Sequence, residues 1–332
     1  MRATRHGLPN SNHGQEAGIS QPFDRRAIPS AARESTWAAP DGHAIRLLEW
    51  GAPERPPRGA ILFMVGRGDA YEKYLETYEH WRQRGWHVTA AEWRGQGGSG
   101  RLGLDDVTGH IDSFEAWVAD LAALWRDWWP RQQGKRVLAG HSMGGHLVMR
   151  AAADGVFDPL PDALLLSAPM LDVLPEAVPL ALRQALARWQ CRRGDPRRPA
   201  WKWSEKPGEP PAARQGLLTH DAERYDDELW WRARRPELVM GPGSWGWVRA
   251  ALDSIGVLER PGALEAVRLP VHIIATTADR LVGIRAIRRA AARLPQAELE
   301  LFGAEAAHEI LRERDAVRDR ALKAIDAFLD RL

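Results

Sequence analysis

Ser142 stands at the centre of Gly140-His141-Ser142-Met143-Gly144, which joins the apolar run Val137-Leu138-Ala139 to a segment of apolar and small residues ending near Gly155. A serine hydroxyl is a weak nucleophile until its backbone presents it and a base takes its proton. G-x-S-x-G is the sequence of a turn that does the presenting: a strand bends sharply into a helix with serine at the apex. The apex backbone is strained, and the residues two before and two after pass too close for side chains. Glycine is therefore required at 140 and 144. The same turn leaves the Met143 N–H at a helix N-terminus, where it can face a developing oxyanion. A bare G-x-S-x-G is a weak signal; the strand before it and the helix after it give it weight.

A nucleophilic serine needs a base, and the base needs a group to orient it. In a sheet-based site of this kind the chain order is serine, then acid, then histidine. The strand in "VHIIATTADR" ends at Asp279, where a loop leaves the sheet's carboxyl edge. The strand in "LELFGA" runs into "EAAHEIL", which puts His308 on the next such loop. His308 would take the Ser142 proton, and Asp279 would hold the imidazole tautomer and stabilise its cation. Glu305 is the rival acid, but it sits beside His308 in sequence rather than across the site. His141 is expected to pack beside the turn, and His146 to point away from it. A second oxyanion donor is expected from Val65–Tyr74, where Gly66 and Gly68 permit close backbone approach; the Arg67 N–H is the candidate.

The elements that must position these groups follow one rhythm. From Thr36 on, short apolar runs alternate with helical patterns: strands at Ala44–Trp50, Gly59–Gly66, His87–Trp93, Arg136–Ser142, Ala163–Pro169, Pro270–Asp279 and Glu298–Ala304. Helical spacing appears in "YLETYEHWRQRG", in Ser113–Trp129 and in a closing helix from about Glu309 to Leu332. Strand, helix, strand predicts an α/β fold with a mostly parallel, doubly wound sheet. The rhythm breaks between Pro169 and Leu269, a segment rich in Trp, Pro and Arg. An insertion of that size between core strands reads as a mainly helical cap over the carboxyl edge, where open α/β sheets bind ligands. Its first helix should carry Val178, Leu182, Ala185, Leu186 and Trp189 on one side. The expected organisation is a flexible extension over 1–33, a core over 34–169 and 262–332, and a cap over 170–261.

Composition excludes several classes. With 46 basic and 44 acidic side chains in 332 residues, the chain has no field of the kind nucleic-acid binders show. One cysteine, Cys191, rules out an internal disulfide framework and a Cys-based metal site. No run approaches the ~20 apolar residues of a membrane span, and the N-terminus lacks the apolar centre of a secretory signal. A cytoplasmic protein is expected. No metal or organic cofactor is implied.

Longer blocks carry a resemblance. "GRGDAYEKY", "EWRGQGGSGR", "GHIDSFEAWVADL", "GHSMGGHLVMR", "LSAPM", "LTHDAERYDDE" and "GPGSWGWVRAALDS" resemble, in order, those of the capped α/β-hydrolases of the lysophospholipase and monoacylglycerol lipase group, most of all its bacterial lysophospholipase branch. The resemblance spans about residues 36 to 332. It implies the α/β-hydrolase fold, the triad Ser142, Asp279 and His308, and the amides of Arg67 and Met143 as oxyanion donors. Two residues depart from the pattern: Val65-Gly66 stands where many relatives carry His-Gly, and Glu92 where Asp is usual.

The expected activity is hydrolysis of a carboxylic ester of a single-chain lipid through an acyl-enzyme. Monoacylglycerol lipase, short-chain carboxylesterase, thioesterase, acyltransferase and aminopeptidase chemistries are the alternatives. The last would need a cap acid such as Glu223, Asp226 or Asp227 for the substrate amine. Outside enzymes, the alternative is a hydrolase-like module that binds without turnover. Among the cap tryptophans Trp201, Trp203, Trp230, Trp231, Trp245 and Trp247, the last four are the expected substrate-lining residues. The basic run "RRGDPRRPAWKW" is a candidate contact for a phosphate headgroup or an anionic membrane surface.

Overall fold

The computed structural model describes residues 23–53, 56–202 and 212–332, with the side chains of 212 and 213 excepted. Eight strands form one sheet in the order β1-β2-β4-β3-β5-β6-β7-β8. They are β1 (Ala32–Ala38), β2 (Ala44–Trp50), β3 (Gly59–Met64), β4 (Trp86–Ala91), β5 (Lys135–His141), β6 (Ala163–Ser167), β7 (Val271–Thr276) and β8 (Ala297–Phe302). β1 and β2 enter antiparallel and the rest are parallel. Every residue of β3, β6 and β7 is buried, as continuous Val-, Ile- and Leu-rich runs require when helices cover both faces. β5 lies in the middle, so its carboxyl end opens at the centre of one sheet edge.

The helices are α1 (Leu75–Gln83), α2 (Phe114–Trp128), α3 (Met143–Ala153), α4 (Leu180–Arg193), α5 (Ala212–Leu218), α6 (Ala222–Arg234), α7 (Trp245–Glu259), α8 (Ile284–Arg293) and α9 (Asp315–Leu329). α2 begins on a capping Ser113, whose side chain accepts the Glu115 N–H, and buries Phe114, Trp117, Leu121, Leu124, Trp125 and Trp128. Helices α4 to α7 all fall between β6 and β7.

Three features differ from the sequence reading. Strand β1 was not legible, because it is an edge strand with four of seven residues exposed, so no apolar alternation marks it. Residues 23–33 are not a loose extension. The Phe23 ring packs on Trp50, Arg25 and Arg26 both bind Asp227 of α6, and the Arg25 carbonyl accepts the Trp231 indole N–H. Residues 1–22 of the expected extension lie outside the described residues. Finally, α4 turns its apolar side outward. Ala187 is the buried residue of that helix, while Leu182 is 62% and Leu186 52% exposed.

Candidate active site

Ser142 is the hinge between β5 and α3, with φ 52° and ψ −117°, a region that residues other than glycine rarely occupy. The surroundings enforce it. The Ser142 N–H donates to the Ser167 carbonyl at 2.9 Å, and the Ser142 carbonyl accepts from Met170 at 2.9 Å and His146 at 3.0 Å. A Cβ at Gly140 would lie 2.7 Å from the Gly144 carbonyl carbon, and one at Gly144 would collide with the Met64 and Val65 carbonyl oxygens. The strand β3 and the helix α3 can approach this closely only through glycine.

Asp279 and His308 stand on the loops that follow β7 and β8. Thr276 at the end of β7 ties it to the loop after β8, its one hydroxyl proton shared between the Gly303 and Ala306 carbonyls, 2.8 and 2.9 Å away. Asp279 Oδ1 accepts the N–H groups of Leu281 (2.8 Å) and Val282 (3.0 Å), which leaves Oδ2 for His308 Nδ1 at 2.7 Å. Both side chains are buried. With Nδ1–H committed to a carboxylate, Nε2 carries the lone pair. Burial pushes the His308 pKa down, but the Asp279 charge and hydrogen bond outweigh it and leave it raised. Burial pushes the Asp279 carboxyl up, and the His308 interactions and two loop amides bring it below the ordinary value. Glu305, the rival acid, is instead exposed, bound to the Gly303 N–H and paired with Arg320.

Ser142, His141 and His308 line one cavity of about 470 Å³, large enough for a drug-sized or single-chain molecule. Its walls include Met170, Leu217, Leu218, Trp247, Ala251 and Leu252, and Leu174, Trp201 and Leu281 stand at its exposed edge. Arg67 also lines it, on the loop after β3. Met143 opens α3 directly after Ser142.

Of the four tryptophans expected to line substrate, Trp247 lines the cavity. Trp230 and Trp231 pack edge to face on each other, and Trp231 joins the core at the Arg25 segment. Trp245 is half-buried at the start of α7, its carbonyl accepting the Cys191 thiol. None of these three reaches the cavity lining. Trp201 does, and Trp203 lies outside the described residues. Asp227, a candidate amine binder, is occupied by Arg25 and Arg26.

Sequence reasoning missed a buried charge cluster, two of whose members, Asp69 and Glu309, line the cavity. Lys73 Nζ lies 2.5 Å from both Asp69 and Glu309 and 3.1 Å from Glu228; Arg312 bonds to Glu228 and Glu309. Asp69 Oδ2 also accepts the Tyr74 hydroxyl (3.0 Å) and meets His141 Nδ1 (2.9 Å). Four separated segments supply these groups, so no local spacing announces them. The departure at Glu92 is part of the scaffold: it is buried, accepts from the Gly98 N–H and Ser99 hydroxyl, and pairs with Arg46. Burial pushes its carboxyl up to about 8.

Against known proteins, residues 55–315 match the family described as serine aminopeptidase, S33. That match spans most of the chain. The chain belongs to this family. Lysophospholipase L2 of Escherichia coli K12 is 31% identical over 313 residues, covering 90% of this chain and 87% of the relative. A probable lysophospholipase L2 of Haemophilus influenzae is 24% identical over 287 residues, 84% of this chain and 86% of that one. Among solved structures, a soluble variant of monoglyceride lipase from Saccharomyces cerevisiae superposes with a TM-score of 0.72 at 18% identity, covering 94% of this chain and 99% of the other. This serine aminopeptidase family member is thus a carboxylic-ester hydrolase with the α/β-hydrolase fold.

Proposed function

We propose that the chain hydrolyses the ester of single-chain lipids, with Ser142 as nucleophile, His308 as base and Asp279 as the group that orients it. The observation that carries this reading is the Asp279–His308 pair at 2.7 Å, set beside a strained Ser142 on the wall of one largely apolar cavity. In the first step Ser142 Oγ attacks the ester carbonyl as its proton passes to His308 Nε2. The tetrahedral oxyanion faces the amides of Arg67 and Met143, the proposed donors. Collapse breaks the ester C–O bond, and His308 gives its proton to the leaving alcohol. Water, deprotonated by His308, then cleaves the acyl-enzyme and releases the fatty acid, returning the proton to Ser142.

A lipid substrate is supported by the apolar walls and by the relatives, which are named for lysophospholipids and monoglycerides. In this reading residues 34–169 and 262–332 form the catalytic core, and 170–261 cap it. The outward face of α4 supports contact with a membrane. Leu182, Leu186 and Trp189 are exposed on it at steps of three or four residues, and Leu174 and Val178 are exposed in the turns that lead into it, Leu174 also lining the cavity edge. Arg192 and Arg193 are exposed at the end of α4, a basic margin that suits anionic headgroups.

The test is covalent labelling with a fluorophosphonate, read by mass spectrometry. The wild type should gain one adduct, on Ser142, and Ser142→Ala none. An unlabelled wild type would favour a hydrolase-like module that binds without turnover.

A further inference from the structure

The loop after β3 is pinned residue by residue to the core. The Val65 N–H donates to the Ala91 carbonyl, and the Val65 carbonyl accepts the Trp93 indole N–H at 2.7 Å. The Gly66 N–H goes to Asp69 Oδ2 (3.1 Å) and the Gly68 N–H to Gln96 Oε1 (2.9 Å). Arg67 lies between the two glycines, and Gly68 has φ +65°. Glycines on both sides leave a peptide unit free to rotate unless something else holds it.

The Arg67 side chain supplies a hold from the opposite direction. Nη2 donates to the Gly241 carbonyl at 2.7 Å. The guanidinium lies 5.2 Å from the ring centroids of both Trp201 and Trp247. It also packs on Gly109, where a Cβ would come within 3.2 Å of Nη2. Gly241, Trp201 and Trp247 belong to the insertion between β6 and β7, and all three line the cavity with Ser142. The guanidinium lies near both indoles, which are edge to face at 76°, and still donates to the carbonyl; its several N–H donors and flat shape serve both contacts better than a compact ammonium would.

We infer that the Arg67 side chain is a positioning group for its own backbone amide. By gripping the insertion at Gly241, Trp201 and Trp247, it fixes the Arg67 N–H in the direction of the reacting carbonyl. Trp201 and Trp247 thus form part of the cavity wall through the same guanidinium that holds the amide. The inference rests on the reading of that amide as an oxyanion donor. It differs from a headgroup-binding role, in which the guanidinium would contact a phosphate and act on substrate affinity.

The experiment compares the full-length wild type with Arg67→Ala, Arg67→Lys and Trp201→Ala. Each is assayed with an uncharged p-nitrophenyl ester, with lysophosphatidylcholine, and with a trifluoromethyl ketone, whose serine adduct carries an oxyanion. Loss of a whole oxyanion donor costs about 10²–10³ in kcat. Misplacing one should cost Arg67→Ala about 10- to 100-fold in kcat on both esters. Affinity for the ketone should fall by a similar factor, with KM changed less than about threefold. Arg67→Lys should recover only part of this, and Trp201→Ala should lose about 3- to 10-fold in the same two quantities. Unchanged kcat and ketone affinity in Arg67→Ala would overturn the inference. So would a raised KM confined to lysophosphatidylcholine, which is the headgroup pattern. If Arg67→Ala does not fold, Trp201→Ala decides, since Trp201 is 44% exposed; unchanged values there overturn the inference. A fully active Ser142→Ala would remove the serine mechanism itself, whereas an inactive Ser142→Ala beside a normal Arg67→Ala removes only the positioning role.

Discussion

Two histidine–carboxylate pairs stand side by side at this site, their imidazole centroids 4.9 Å apart. His308 Nδ1 meets Asp279 at 2.7 Å, and His141 Nδ1 meets Asp69 at 2.9 Å. Both histidines are buried and both line the cavity. The carboxylates differ in what else they hold. Asp279 binds two loop amides besides its histidine, so its charge acts mainly on His308. Asp69 is shared with Lys73, the Tyr74 hydroxyl and the Gly66 N–H, so its charge is largely spent on that buried cluster. The same side-chain pair can serve as a proton-transfer unit or as a structural joint. The remaining partners of the carboxylate decide which.

The largest effects should fall on the first pair. His308→Ala should lower kcat by about 10⁴-fold or more without unfolding the chain, and Asp279→Asn by about 10⁴-fold through a misassigned tautomer. Steady-state kinetics with circular dichroism as a folding control would check both. Losses below tenfold would erase the distinction between the pairs.

Acidity should sharpen it. His308 acts as base only when neutral, and its pKa is raised above the ordinary ~6.5, so kcat/KM should fall as pH drops through a value above that figure. Asp279→Asn removes the charge that raises it, so the residual activity should hold to lower pH. A pH profile flat from 5 to 9 in the wild type would contradict His308 as base.

The second pair should answer in stability rather than rate. Asp69→Asn removes one of three carboxylates around the buried Lys73, and stability should fall by about 1–3 kcal/mol, the cost of a weakened buried charge-assisted hydrogen bond. Thermal or denaturant unfolding would measure it. His141→Gln should have the smallest effect, with kcat per folded molecule changed by less than about tenfold. A loss as large as that of His308→Ala would put His141 in the chemistry.

The sequence made parts of this site legible and hid others for physical reasons. Gly140, Ser142 and Gly144 stand out because one turn needs all three within five residues. Asp279 and His308 could be placed because each follows an apolar run, and parallel strands deliver their carboxyl-end loops to one edge. The Asp69–Lys73–Glu228–Glu309–Arg312 cluster could not be found the same way. Its members come from three segments far apart in sequence, and charged residues ordinarily read as surface. The apolar spacing of α4 was visible, but periodicity shows only that a helix has an apolar face, not what covers it. Trp230 and Trp231 misled for a similar reason: large rings in an insertion can fill a small core as readily as a pocket.

The most direct test of the account is fatty-acid release from lysophosphatidylcholine by the purified wild type and by Ser142→Ala, each checked for folding. The account predicts steady release by the wild type and none above background by the variant. Equal release by the two proteins would contradict it.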